Sequence, residues 1–159
     1  MKVCILGSGL TSLSLAKTLV NMGINVEIIL NSNFEKIDKS RTLSISKKNA
    51  SFLNSKVTNI NKLSWKIRNI EIFSENLKNE KVFNFENNQK ELFSIIKNYQ
   101  LINQLKRELD NNKFLTFKKV FKIKEKELFE NYNLVINTNQ NNLISKKYFY
   151  KKINKDYNS

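Results

Sequence analysis

The residues best suited to chemistry in this chain are Gly7-Ser8-Gly9-Leu10-Thr11-Ser12, lying between the apolar runs Val3-Cys4-Ile5-Leu6 and Leu13-Ser14-Leu15-Ala16. Gly-x-Gly-x-x-Ser at a strand-to-helix turn is one residue short of the dinucleotide fingerprint Gly-x-Gly-x-x-Gly. Gly7 permits the tight turn out of the strand, and Gly9 lets a pyrophosphate approach bare backbone. The third position needs only a small residue for the helix to pack on its sheet, and Ser12 is small. The helix that follows offers unpaired N–H groups and about half a positive charge to an anion. Thr11 and Ser12 add hydroxyls within reach of phosphate oxygens. A buried strand-to-helix turn favours glycine on packing grounds as well. Yet all three glycines of the chain fall in its first 23 residues and proline is absent, so the pair stands out from the composition.

The fingerprint also calls for an acidic residue at the end of the second strand, where it takes the ribose hydroxyls. That place holds Leu30-Asn31. Asn31 can hydrogen-bond a ribose, more weakly than a carboxylate would. Glu27 comes too early and reads as a mid-strand residue facing polar surroundings. The chain has no histidine, which excludes imidazole metal sites, Ser-His triads and Cys-His dyads. No metal site is expected, and no side chain stands out as a catalytic acid or base. The lone Cys4 excludes a disulfide framework and points to a reducing compartment.

The elements that must position this turn follow from periodicity. Lys2–Leu6 reads as a short buried strand, Leu10–Met22 as a helix with Leu10, Leu13, Ala16, Leu19 and Val20 at helical spacing, and Gly23 as its left-handed cap. Asn25–Leu30 is the second strand, completing a unit whose crossover is expected to be right-handed. Beyond a polar loop, Thr42–Ser46 suggests a strand, Lys47–Leu53 a helix, and Ile67–Ser74 a strand paired as a hairpin with Val82–Phe85. Residues 91–97 are ambiguous and Leu101–Leu109 is helical. Phe114–Phe121 and Lys122–Phe129 look strand-like, and Leu134–Ile136 is a last buried strand. After Lys146 the tail is basic and aromatic, with no cap and no clear period.

A length of 159 residues, 40% of them hydrophobic and 11% aromatic, suits one domain with a sizeable core. The net charge of +14 invites a nucleic-acid or anionic-membrane reading. Only Arg41, Arg68 and Arg107 are arginines among the 28 basic residues, and the lysines are spread along the chain. That lysine- and asparagine-rich pattern follows AT-rich coding, so nucleic-acid binding is disfavoured as the main role. No apolar stretch approaches the ~20 residues of a membrane span, and the N-terminus lacks a secretory pattern. A cytoplasmic location is expected, with peripheral contact at the inner membrane face.

The segment Cys4–Ala16 resembles the opening of the FAD-dependent aromatic-ring hydroxylases, above all the ubiquinone-biosynthesis group acting on polyprenylated phenols. Asp38-Lys-Ser-Arg41-Thr-Leu-Ser-Ile-Ser46 is similar to the family's Asp-x-Arg-x-x-Ala-Leu-Ser segment, whose arginine lies beside the flavin. Ser64–Phe73 resembles the strand that opens the substrate-side sheet. Leu134-Val-Ile-Asn-Thr-Asn139-Gln140 sits where the family writes a strand followed by Ala-Asp-Gly. Departures are Ser12 for the third glycine, the absent ribose acid, Asn98 near the place of an arginine ahead of a helix, and Asn139-Gln140 for Asp-Gly.

The resemblance implies an α/β fold: a Rossmann-like FAD-binding βαβ start with part of an interleaved antiparallel substrate-side sheet. Residues 1–159 would form a single partial domain, with 64–97 beginning that sheet. It implies FAD held by Gly7, Ser8, Gly9, Thr11, Ser12, Asn31 and Arg41, with NADPH as reductant and an aromatic or polyprenyl-phenol substrate. Family members are more than twice as long, so the resemblance further implies an N-terminal portion, inactive alone, whose missing half could be a separate partner chain. Alternatives are an NAD(P)-dependent oxidoreductase module using the same turn, a non-catalytic decayed protein that binds a partner, and a basic nucleic-acid binder.

Overall fold

Two strands too apolar to face water on either side set the centre of the molecule. In a computed structural model, which describes residues 1–30, 38–78, 80–88, 90–120 and 124–149, the chain opens with β1 (Lys2–Leu6), α1 (Leu10–Asn21) and β2 (Asn25–Leu30). There follow β3 (Thr42–Ser46), α2 (Lys47–Phe52), β4 (Trp65–Ile67), β5 (Asn69–Ser74), β6 (Glu80–Glu86) and β7 (Phe93–Lys97). The remainder is α3 (Asn98–Leu109), β8 (Leu115–Lys119), α4 (Glu125–Asn131), β9 (Leu134–Asn137) and α5 (Leu143–Tyr148). A parallel sheet runs β8-β2-β1-β9, an antiparallel sheet runs β3-β7-β4, and β5 and β6 form an antiparallel hairpin.

The parallel register puts Cys4 opposite Glu27 and Val135, and Leu6 opposite Ile29. Side chains alternate across a strand, so each central strand buries both faces, as parallel sheets require. One face, with Val3, Ile5, Val26, Ile28 and Leu30, packs on Leu13, Ala16 and Val20 of α1 and on Leu101, Leu105 and Leu109 of α3. The other face, with Cys4, Leu6 and Ile29, is covered by Leu128 of α4 and Ile144 of α5. Gly23 takes φ 74° and its amide closes α1 on the Val20 carbonyl at 3.0 Å. The α1–α3 contact is pinned by Lys17 and Glu108, 3.3 Å apart, and Gln104 donates to Thr58 and to the Asn59 carbonyl.

Two sequence expectations are corrected. Lys122–Phe129 is not a strand: the described part is helical over Glu125–Asn131. Its stretch Glu-Lys-Glu-Leu-Phe-Glu is rich in helix formers, with Glu125 and Glu127 at the positive end of the dipole and only Leu128 buried. Of the tail past Lys146 only 147–149 belong to the described residues, and there α5 (Leu143–Tyr148) comes to its end, having begun with Asn142 accepting from the Ser145 amide at 2.8 Å. The strand expected over Ile67–Ser74 is broken at Arg68 into β4 and β5, which join different sheets. Residues 91–97, ambiguous by pattern, yield β7, and the helix from Lys47 continues as a π-helical turn over Leu53–Val57.

Glu27 is the buried charge among the described residues, and three partners hold it on the α4 side of the sheet. Tyr132 Oη donates to Oε1 at 2.6 Å, Lys2 Nζ lies 2.9 Å from Oε2, and Lys118 Nζ lies 3.8 Å away. Burial alone would raise its pKa, but the Tyr132 hydrogen bond and the two lysines outweigh it and hold the carboxyl below its usual range. The same burial, then the Glu27 charge, pushes the Cys4 thiol up to about 12.

Two measurements follow from this cluster. Because Glu27 titrates lower folded than unfolded, it stabilises the fold above its unfolded pKa, and that contribution is lost as pH falls through the folded value. Urea unfolding from pH 7 down to pH 3 is therefore expected to show a falling stability that Glu27→Gln flattens. Cys4 is expected to stay unreactive toward a disulfide reagent at pH 8 in the native protein and to react fully in denaturant, since the thiolate is the nucleophile.

Candidate functional site

In the strand order β8-β2-β1-β9 the chain leaves β1 toward β2 on one side, while β9 adds on the other. The carboxyl ends of β1 and β9 thus flank the point where the winding reverses, which is where open α/β sheets bind ligands. Gly7 leaves β1 with φ 134°, and its amide donates to the Ile29 carbonyl at 3.3 Å. A Cβ on Gly7 would lie 2.3 Å from Thr138 Oγ1 and 3.0 Å from Ser12 Oγ, so no other residue fits without displacing the Thr138 side chain. Gly9 is extended, at φ −79° and ψ −178°, and a Cβ there would meet nothing within 4 Å. It opens onto free space beside the first turn of α1, which carries neither a side-chain cap nor an acid.

That space is a cleft of about 580 Å³. Gly7, Ser8, Gly9 and Thr11 line one wall, Arg41 and Asp38 another, and Asn139 and Gln140 a third. Four of the sequence-predicted cofactor positions therefore meet Arg41 around one cavity. Ser12 does not line it. This residue is fully buried, 2.6 Å from Thr138 Oγ1. Thr138 Oγ1 gives its own proton to the Leu6 carbonyl at 3.0 Å, so Ser12 is the donor between the two hydroxyls. Its hydroxyl is spent tying α1 to β9. Asn31 lies outside the described residues.

Arg41 is placed by the backbone, since its carbonyl accepts from the Asn98 amide at 2.9 Å and joins the start of β3 to the start of α3. Beside it Asp38 Oδ1 accepts from both the amide and the hydroxyl of Ser40 at 2.8 Å. Those two bonds, the backbone one first, and then Arg41 hold its carboxyl below the ordinary range. The third wall is stitched by amides. Asn137 Nδ2 donates to Ser145 Oγ at 2.6 Å, Asn142 Nδ2 donates to Asn137 Oδ1 at 2.8 Å, and Ser145 Oγ donates to the Asn139 carbonyl at 2.6 Å.

Sequence reasoning missed Thr138 and Lys106, both of which line the cleft. Thr138 sat unremarked inside the strand-end segment Leu134–Gln140, and only the glycine turn opposite gives it meaning. Lys106 follows Asn98 and Ile102 at four-residue steps, a stripe hidden among the many lysines of the chain. Among the described residues no cluster of histidine, cysteine or acidic side chains could hold a metal ion. No described helix is long and apolar enough to cross a membrane.

The glycine turn, the uncapped helix start and the open space at Gly9 suit a phosphate group, so the residues present fit a nucleotide cofactor such as FAD. The fold is mixed α/β, with a parallel sheet and antiparallel strands. No family model matches the chain, and no curated protein does.

Solved structures do. p-Nitrophenol 4-monooxygenase from Pseudomonas putida superposes with a TM-score of 0.60 at 14% identity, over 74% of this chain and 31% of that one. PqsL, a probable FAD-dependent monooxygenase from Pseudomonas aeruginosa, gives 0.59 at 12% identity over 79% and 36%. A variant of Klebsiella pneumoniae HpxO in complex with FAD gives 0.56 at 14% identity over 74% and 31%. The chain spans about a third of the length of these proteins.

Gly7 and Gly9 are expected to answer differently to alanine. Gly7→Ala forces a positive φ and a clash with Thr138, costing about 2 kcal/mol or more in urea unfolding. Gly9→Ala is expected to leave stability unchanged or raise it by about 0.5 kcal/mol, while weakening nucleotide binding measured by titration calorimetry.

Proposed function

We propose that this chain is the FAD-binding portion of a flavin-dependent monooxygenase that hydroxylates an aromatic ring, incomplete as a catalyst by itself. The observation that carries the reading is the single cleft in which the glycine turn of β1, the end of β9 and Arg41 face one another. A diphosphate at Gly7-Ser8-Gly9 would lie against the first-turn amides of α1, with the Thr11 hydroxyl beside it. Arg41 and the Asn139–Asn141 loop would then flank the remainder of the cofactor. The likeness to flavin monooxygenases supports FAD over a nicotinamide cofactor in this turn, and NADPH is the proposed external reductant.

The flavin, when bound, supplies the redox and oxygen-transfer chemistry, and this chain contributes binding, orientation and exclusion of water. Among the described residues no side chain lining the cleft has the placement of a catalytic acid or base, so none is assigned. The finer reading, a polyprenylated phenol of ubiquinone biosynthesis as substrate, rests on the sequence resemblance. With it goes a peripheral position at the cytoplasmic face of a membrane. Since the structural relatives are about three times as long, a complete active site requires further polypeptide, which could be a separate chain.

The test is to purify residues 1–159, record the visible spectrum, and titrate FAD by fluorescence quenching. We expect little flavin to survive purification but saturable binding of added FAD, competed by ADP. A protein that ignores FAD at millimolar concentration, yet is folded by circular dichroism, would falsify the reading. Tight binding of DNA or RNA with a steep salt dependence would replace it with a nucleic-acid role.

A further inference from the structure

Asn139, Gln140 and Asn141 line the cleft, whereas Asn137, Asn142 and Ser145 stand behind them. Both polar backbone groups of Asn139 are held from that second row. Its amide donates to Asn137 Oδ1 at 3.1 Å, and its carbonyl accepts from Ser145 Oγ at 2.6 Å. Ser145 Oγ in turn accepts from Asn137 Nδ2 at 2.6 Å. Asn137 therefore grips Asn139 twice, directly and through Ser145. A backbone N–H can only donate, so it marks which end of the Asn137 carboxamide is the oxygen. The Ser145 amide, 2.8 Å from Asn142 Oδ1, marks Asn142 in the same way. The two carboxamides then pair reciprocally, Asn142 Nδ2 on Asn137 Oδ1 at 2.8 Å and Asn137 Nδ2 on Asn142 Oδ1 at 3.1 Å. The wall so held abuts the glycine turn, since a Cβ on Gly7 would lie 3.6 Å from the Asn139 nitrogen.

We propose that Asn137 is a positioning residue of this cleft: acting through Ser145, it holds the Asn139–Asn141 wall ready for a bound dinucleotide. The inference rests on the nucleotide reading of the same cleft. Neither Asn137 nor Ser145 lines the cavity, so both act through Asn139. A wall fixed before binding spares the ligand the entropy of ordering it. The glycine turn has a separate support, because Thr138 bonds the Leu6 carbonyl and receives the Ser12 hydroxyl. Loosening the wall should therefore leave the diphosphate place at Gly7-Ser8-Gly9 intact and weaken the hold on the rest of the cofactor.

A purely structural role would have the same network anchor α5, whose N-cap is Asn142. Ser145→Ala separates the two, because the cap uses the Ser145 backbone amide and the wall uses its hydroxyl. The measurement is calorimetric titration of the full chain with FAD and with inorganic pyrophosphate, on variants shown to be folded by circular dichroism. Ser145→Ala should lower FAD affinity about fivefold and pyrophosphate affinity by less than about twofold. Ser145→Thr, which keeps the hydroxyl, should restore FAD binding. Asn137→Ala should lower FAD affinity about tenfold, and adding Ser145→Ala to it should cost little more, since the two act in one chain of bonds. Should Asn137→Ala fail to fold, the Ser145 pair alone decides.

FAD affinity that survives in Ser145→Ala, with wild type binding normally, would overturn the inference and leave the flavin reading standing. Equal losses for FAD and pyrophosphate would point to a loosened fold instead of a misplaced wall, and would overturn it likewise. Wild type that ignores FAD, whether or not it binds pyrophosphate, overturns both.

Discussion

Thr138 can rest against Gly7 only because Gly7 has no Cβ, and the geometry of the cleft descends from that contact. A methyl at Gly7 would press to 2.3 Å from the threonine hydroxyl. Without it, Thr138 bonds the Leu6 carbonyl through both its amide and its hydroxyl, at 2.9 and 3.0 Å, and receives the Ser12 hydroxyl. Strand β1, helix α1 and strand β9 are thereby fixed to one another at a single point. Because the contact is at the carboxyl end of the sheet, it also fixes where α1 begins and what its free amides face. The third position of the glycine motif illustrates the economy. A glycine there would serve close packing alone, whereas Ser12 packs as closely and adds the bond that secures β9.

The two faces of the parallel sheet are stabilised by different physics. Toward α1 and α3 the core is wholly aliphatic, with Leu13, Ala16 and Leu105 sealed completely. Toward α4 and α5 fewer apolar groups are available, and a charge occupies the same layer. Glu27 survives there because Tyr132, Lys2 and Lys118 converge on it; a buried carboxylate lacking such partners would be neutralised instead. The aliphatic face therefore holds α1 and α3 around the cleft at any moderate pH. The charged face ties Tyr132, at the end of α4, to the sheet in a manner that acid can release.

Much of the first half of the fold was legible in the sequence because local and global preferences agree there. An uninterrupted apolar run ending in glycine has few other uses, and Gly23 stops α1 where its period stops. Legibility fails where one local pattern serves two folds. Lys122–Phe129 alternates well enough for a strand, but its acids favour a helix start, and only Leu128 needs a buried place. In β5 and β6 the alternation correctly gave strands and their pairing. It said nothing of burial, and Phe83 and Phe85 stack on each other while more than half exposed. The cleft was half legible: the glycine turn and Arg41 are motif residues, whereas Thr138 and Lys106 matter only through neighbours more than 60 residues away in sequence.

The departures from the pattern that the sequence resembles share one direction: they replace charged groups with neutral amides. The absent ribose acid and Asn139-Gln140 in place of Asp-Gly remove two negative charges, and Asn98 in place of an arginine removes one positive charge. What remains along the described lining is a set of neutral amides, Asn98, Asn139, Gln140 and Asn141, with two cations and one committed carboxylate. Amides both donate and accept, so they tolerate many ligand hydroxyls while enforcing none. Cations and bare helix amides, by contrast, discriminate strongly by charge. On the flavin reading, such a cleft would hold the ribose end of the cofactor weakly and the phosphate end firmly. That reading would concentrate recognition at the phosphate, beside the point where Gly7, Ser12 and Thr138 fix β1, α1 and the end of β9 to one another.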